Sequence, residues 1–126
     1  MSFKPISSKE LATPLGSYSP GIRVNGLIYL SGQAGQDPIT GKLVPGGLEA
    51  EAIQIFKNIK LLLNAAGKTL DDVIRVGVYL TDIGEFTEFN AVYSSQFSAP
   101  FPARTTIAVS ALPLNAAVEI DLIAQG

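Results

Sequence analysis

Two hydrophobic periods alternate along this chain, and each change of period marks an element. Ile22-Arg23-Val24 and Leu27-Ile28-Tyr29-Leu30 read as strands joined by Asn25-Gly26, a pair suited to the positive φ of a tight hairpin. A weaker strand signal, interrupted by Pro5, covers residues 3–8, and the Pro-, Gly- and Ser-rich residues 12–21 read as an ordered loop. After Leu30 the side chains turn small, in Ser31-Gly32-Gln33-Ala34-Gly35, which lets a backbone or a ligand come close. From residue 48 to 66 the period becomes 3.6. Leu48, Ala52, Ile55, Phe56, Ile59, Leu62, Leu63 and Ala66 form one stripe of a helix, with Glu49 and Glu51 at its positive end and Gly67 past its last turn.

Thr69-Leu70-Asp71-Asp72 has the form of a capping box. Residues 73–80 are apolar in both alternating sets, as in a central strand covered on two sides. A second helix is predicted over about residues 83–98, with Asp82 as its N-cap and Phe86, Phe89, Tyr93 and Phe97 near one face. Pro100 and Pro102 end it. Two strands follow, 103–109 and 117–124, on either side of Leu112-Pro113, about which the chain is able to fold back as a hairpin.

The order β-β-β-α-β-α-β-β over residues 1–126 predicts a single α+β domain with one sheet. Two helices cover one face of such a sheet and leave the other to be covered elsewhere. Only 16% of the residues are charged, against roughly 25% in ordinary soluble domains. A homo-oligomer built on the uncovered sheet face is the expected solution. No apolar run reaches the ~20 residues of a membrane helix, and the N-terminus shows no signal-peptide pattern, so a cytoplasmic location is expected.

The inventory limits the chemistry. There is no His and no Cys. This excludes thiol nucleophiles, Ser-His dyads and zinc sites of the usual kind. Any catalysis must use Arg, Lys, carboxylates, hydroxyls, backbone groups and water, with no metal or cofactor expected. A net charge of −2 without a basic cluster argues against a nucleic-acid partner.

Within the uncharged run from Phe101 to Val118, Arg104 stands alone, and Glu119 follows it. Alternation puts Arg104, Thr106 and Ala108 on one face of their strand, and Glu119, Asp121 and Ile123 on one face of theirs. Arg104 is either a fork for a substrate carboxylate or half of a salt bridge to Glu119 or Asp121 across the hairpin. Glu119 is either a site residue or an ordinary solvent-facing one. Tyr18 in its loop, and Ser31 with Gly32 at a strand end, are further candidates that are not specific alone.

Taken together the motifs resemble those of the Rid (YjgF-type) reactive intermediate deaminases, and the RidA-like members in particular. They are Gly16-Ser17-Tyr18-Ser19-Pro20-Gly21, Leu30-Ser31-Gly32-Gln33, Asp37-Pro38 with Thr40-Gly41, Ala65-Ala66-Gly67, Val78-Tyr79-Leu80-Thr81-Asp82, Phe89-Asn90-Ala91-Val92-Tyr93, Phe101-Pro102-Ala103-Arg104-Thr105-Thr106, Ala111-Leu112-Pro113 and Val118-Glu119-Ile120. The resemblance implies a chorismate-mutase-like α+β fold with one mixed sheet, two helices on one face, and a homotrimer with clefts between subunits. It implies hydrolysis of 2-aminoacrylate-type enamines and imines released by pyridoxal-phosphate enzymes, giving 2-keto acids and ammonia. On the matching positions, Arg104 would hold the substrate carboxylate. Glu119 would position or activate water with the carbonyl of Thr106, and Tyr18, Ser31, the Gly32 N–H and Asn90 would line the pocket. Many members of that family carry Cys where this chain has Thr106, so any regulation through that thiol is missing here. Two other functions stay open: a module that binds a keto acid without turnover, and an RNA-cleaving protein, against which the acidic balance counts.

Overall fold

The computed structural model describes residues 2–126 and folds them as one mixed sheet with two helices on one face. The strands are β1 (Lys4–Ile6), β2 (Gly21–Val24), β3 (Leu27–Gln33), β4 (Val73–Leu80), β5 (Ala103–Ala108) and β6 (Val118–Gln125). The helices are α1 (Gly47–Ala65) and α2 (Phe86–Gln96). Across the sheet the order is β1-β2-β3-β6-β4-β5. Only β4 and β5 run parallel, and α2 is the crossover between them.

Local signals account for most of this. Asn25 and Gly26 take φ of 51° and 74° and close the β2–β3 hairpin. The capping box at Thr69 forms, with the Thr69 side chain and Asp72 each serving the other's backbone. The predicted stripe of α1 packs on the sheet, with Ile55, Ile59, Leu62 and Leu63 fully buried. Each such side chain contributes about 1.5–3 kcal/mol on leaving water. Their counterparts are Ile28 and Leu30 of β3, Val76, Val78 and Leu80 of β4, and Val118, Ile120, Leu122 and Ala124 of β6.

Four readings change. The hairpin of β5 with β6 does not form: β6 lies between β3 and β4, and β5 pairs on the far side of β4. The alternating buried set of β6 makes it a central strand, and the Leu112-Pro113 region carries the chain past the end of β4 instead of reversing it in place. Asp82 caps a short 3-10 turn, Ile83–Glu85, by accepting the Gly84 N–H at 2.8 Å, and α2 begins only after that turn. At the start of β4 a bulge between Val73 and Arg75 breaks the alternation of the two sets, so that Val73 is buried with Val76 and Val78 while Ile74 is exposed. Glu51 does not serve the α1 dipole from the surface; it is buried, and its Oε1 accepts the N–H of Ala117 at 2.8 Å. No helix among the described residues is long and apolar enough to cross a membrane.

Candidate active site

Arg104 and Glu119 stand on opposite faces of the sheet. In the register, Arg104 is level with Val76 of β4, a fully buried residue on the face that the helices cover. Glu119 is level with Tyr79, on the face that they leave open. Since β4 separates β5 from β6, the salt bridge across a hairpin is not available to this pair.

The Arg104 guanidinium reaches over α2. Its carbon lies 4.5 Å from the ring centroid of Tyr93, 5.6 Å from that of Phe86 and 6.0 Å from that of Phe89. Flat faces of this kind hold a guanidinium through its π-cloud and leave its in-plane N–H groups for a planar anion. Two turns of helix supply the rings at positions 86, 89 and 93, and the same spacing packs Phe89 and Tyr93 into the core. Thr106 follows on the same side, and its Oγ1 is buried without a hydrogen-bond partner. The main chain of β5 is also placed for contact. Val109 N–H donates to the Leu80 carbonyl at 2.8 Å. By alternation Thr105 and Ile107 turn their backbone groups toward β4, while those of Arg104, Thr106 and Ala108 face the free edge of the sheet. Asn90 is half-buried on α2, beside Phe89 in the chain.

Around Glu119 a second group assembles from β3 and the loop before β2. Gly32 lies directly under the Glu119 carboxylate, so closely that a Cβ at position 32 would collide with it. Ser31 ties the loop to β3: its N–H donates to the Pro20 carbonyl at 2.9 Å and its Oγ to the Ser19 carbonyl at 2.7 Å. Tyr18, about half exposed, shares one cleft with Ser31 and a second, narrow groove with Gly32. Burial first, and the nearby Asp121 carboxylate second, push the Glu119 carboxyl above the usual glutamate value. That direction is the one that prepares a carboxylate to accept a proton near neutral pH.

The protomer therefore gathers the sequence candidates in two halves. Tyr18, Ser31, Gly32 and Glu119 form one; Arg104 and Thr106, with Asn90 on the helix behind them, form the other. Three further polar residues make contacts that the sequence reading does not anticipate. Tyr79, which the sequence reading names only within a strand and its motif, donates its hydroxyl to Asp121 at 2.9 Å. Asn58 is buried in the α1 stripe, where its amide donates to the Gln36 carbonyl at 3.0 Å. Glu51 is the third, and its position within an otherwise apolar face was the available signal.

Comparison with known proteins identifies the family and the fold. A family model described as "Endoribonuclease L-PSP" matches residues 8–125. A RutC family protein of Saccharolobus solfataricus is 45% identical over 120 residues, covering 95% of either chain. A protein of Bos taurus named 2-iminobutanoate/2-iminopropanoate deaminase is 44% identical over 121 residues, covering 96% of this chain and 88% of its own. Among solved structures, RidA from an Antarctic Psychrobacter superposes with a TM-score of 0.93 at 39% identity, covering 98% of this chain and 99% of that one. A Rid-family protein of Yersinia pestis gives 0.95 at 38%, covering 99% and 100%. The chain belongs to the Rid family, the YjgF/RutC-type proteins whose model carries the L-PSP description.

Proposed function

We propose that this protein hydrolyses 2-aminoacrylate-type enamines, through their imine tautomers, to 2-keto acids and ammonia. The observation that carries the reading is Arg104, a guanidinium laid on aromatic rings at a sheet edge with its fork open to a carboxylate. A 2-imino acid presents that carboxylate beside an electrophilic C=N carbon. Water adds its oxygen to this carbon while the C=N π pair goes to nitrogen. Glu119 accepts the proton released by the water and passes it to that nitrogen. The hydroxyl of the resulting carbinolamine then gives its proton, by way of Glu119, to the same nitrogen, and the C–N bond breaks as the carbonyl forms, so that ammonia leaves. The raised proton affinity of Glu119 favours uptake of the proton from the water. The Thr106 carbonyl helps to orient the water, and the Gly32 N–H, Ser31, Tyr18 and Asn90 bound the pocket. None of these steps needs a thiol, an imidazole, a metal or a cofactor. Relatives that carry the name 2-iminobutanoate/2-iminopropanoate deaminase, such as those of Bos taurus and Mus musculus, support the substrate class.

The site on this reading is shared between copies. Arg104 and Thr106 of one protomer meet Glu119, Gly32, Ser31 and Tyr18 of the next, in a homotrimer that covers the open sheet faces and works in the cytoplasm. The family model's description also raises RNA cleavage. Nine basic against eleven acidic residues provide little to hold a phosphate backbone.

The test is a coupled assay in which a serine or threonine dehydratase generates the intermediate and keto-acid release is followed. Acceleration over spontaneous hydrolysis is expected. Its absence, with saturable binding of a keto acid that Arg104→Ala abolishes, would establish a binding module instead. Arg104→Lys is expected to lower kcat/KM by about tenfold or more, because an ammonium cannot reproduce two parallel hydrogen bonds. An unchanged value would place the carboxylate elsewhere.

A further inference from the structure

Glu119 is one of two carboxylates on the open face of β6, and the two are treated differently. Asp121 is two residues further on, about 7 Å along the strand and on the same side. It is level with Gly77, whose missing side chain leaves room for it: a Cβ there would collide with the Asp121 carboxylate. Tyr79, the residue level with Glu119, turns its hydroxyl away to donate to Asp121 Oδ2 at 2.9 Å. The side chain opposite Glu119 thus fixes the neighbouring charge and leaves Glu119 without that donor.

We propose that Asp121, anchored by Tyr79, is a positioning residue whose fixed negative charge strengthens Glu119 as the base that takes up the proton of the attacking water. The charge is placed close enough to favour the protonated form of Glu119, and the phenol stops Asp121 from swinging away. Burial of Glu119 and its repulsion from Asp121 act in the same direction. The hydrogen bond to Asp121 also keeps the Tyr79 phenol protonated, hence a donor, since it raises the phenol's pKa. Other groups on this face are accounted for. Arg75 of β4 acts on Tyr79 and donates to Thr105 Oγ1 at 3.2 Å. From β3 come Tyr29, Ser31 and Gly32, of which only Tyr29 titrates, and β5 adds Thr105 and Ile107. In the assembly proposed above, Arg104 of a neighbouring copy faces the same site and is matched by the substrate carboxylate. A pair of carboxylates with unlike surroundings is how a protein separates one that accepts protons from one that stays charged.

The inference rests on the deaminase reading for its kinetic consequence only, so the experiment has one arm that needs no activity. The assembled protein, carbon-13 labelled at its carboxyl groups, is titrated by NMR as wild type and as Asp121→Asn, a change that keeps size and removes charge. The Glu119 carboxyl is expected to titrate about half a pH unit or more lower in the variant. The acidic limb of the kcat/KM profile should follow it by the same amount. An unmoved Glu119 titration overturns the proposal. Movement without any keto-acid formation leaves it standing and removes the deaminase reading instead. Should Asp121→Asn fail to assemble, the wild-type curve decides: Glu119 titrating above an ordinary glutamate, with a second inflection that reports a coupled neighbouring charge, supports the proposal, and a simple single-step curve overturns it. Tyr79→Phe is expected to move the Glu119 titration when Asp121 is present and not in the Asp121→Asn background. Equal effects in both would show that Tyr79 acts on Glu119 directly, and the relay would be overturned.

Discussion

Gly32 is a position where one added carbon would act directly on a candidate site residue. A Cβ there would occupy the space of the Glu119 carboxylate, so Gly32→Ala is expected to displace Glu119 while leaving the core untouched. Misplacing a catalytic group by an ångström costs on the order of 10²-fold in rate. Keto-acid assays alongside thermal denaturation should show that loss with a nearly unchanged Tm; a Tm that falls with the activity would make the glycine structural. Thr106 gives the opposite expectation. Its hydroxyl is buried without a partner, and an unpaired buried polar group costs about 1–3 kcal/mol. Thr106→Val should match or exceed the wild type in urea denaturation. It should also keep most activity if the backbone carbonyl is what the site uses; loss of activity with stability intact would assign the role to the hydroxyl. At this scale the sequence was informative wherever a side chain was out of pattern. Arg104 in an uncharged run and glycines after a strand both marked candidate positions. Phe86, Phe89 and Tyr93 did not stand out, because a helix stripe that holds a guanidinium is indistinguishable from one that only packs.

Glu51 shows how elements are joined at a point that a periodic pattern hides. It belongs to α1, accepts the Ala117 N–H two residues before Glu119, and its backbone leaves no room for a Cβ on Gly35, three residues beyond Gly32. The Thr81 N–H donates to the Ala117 carbonyl at 3.1 Å, so both backbone groups of Ala117 are held. Burial is the main reason that the Glu51 carboxyl is raised above the ordinary glutamate value, and its backbone hydrogen bonds oppose the rise only in part. A carboxyl raised by folding favours the native state most when both states are protonated. That contribution is complete below the unfolded-state value and is lost as pH rises through the folded one. Glu51→Gln, which keeps an acceptor and discards the charge, should therefore gain stability over wild type at pH 7 and lose this advantage below about pH 4. Glu51→Leu should cost about 1–3 kcal/mol by leaving the Ala117 N–H unpaired. Urea denaturation across pH checks both, and a Gln variant less stable than wild type at pH 7 would show that the charge itself is wanted. The elements themselves were legible because each carries its own period and its own stop signals. Their pairing was not legible for β5 and β6, since a strand inserted between distant neighbours is chosen by the whole core and not by the Leu-Pro turn beside it.

At the scale of the whole molecule, the protomer has one covered sheet face and one open one, and the candidate site residues are divided between them. The open face carries Tyr29, Tyr79, Ile107 and Ile123 beside the two carboxylates, with Tyr29 and Ile107 well exposed. The low charge content had already pointed to a covered face, but only the register shows that Arg104 and Glu119 lie on opposite sides of it. If neighbouring copies complete each other's sites, two inactive variants should restore activity when combined. Arg104→Ala and Glu119→Gln subunits, unfolded together in equal amounts and refolded, would assemble at random. A site built from adjacent copies then has an intact Arg104 half and an intact Glu119 half in about a quarter of its occurrences, whereas a site within one chain would never have both. Recovery of roughly a quarter of wild-type activity, on a species that sedimentation equilibrium places at three times the protomer mass, is the expected result. A mixture as inactive as its parents would put both groups in one subunit's site, which requires a conformation in which Arg104 leaves the rings of α2.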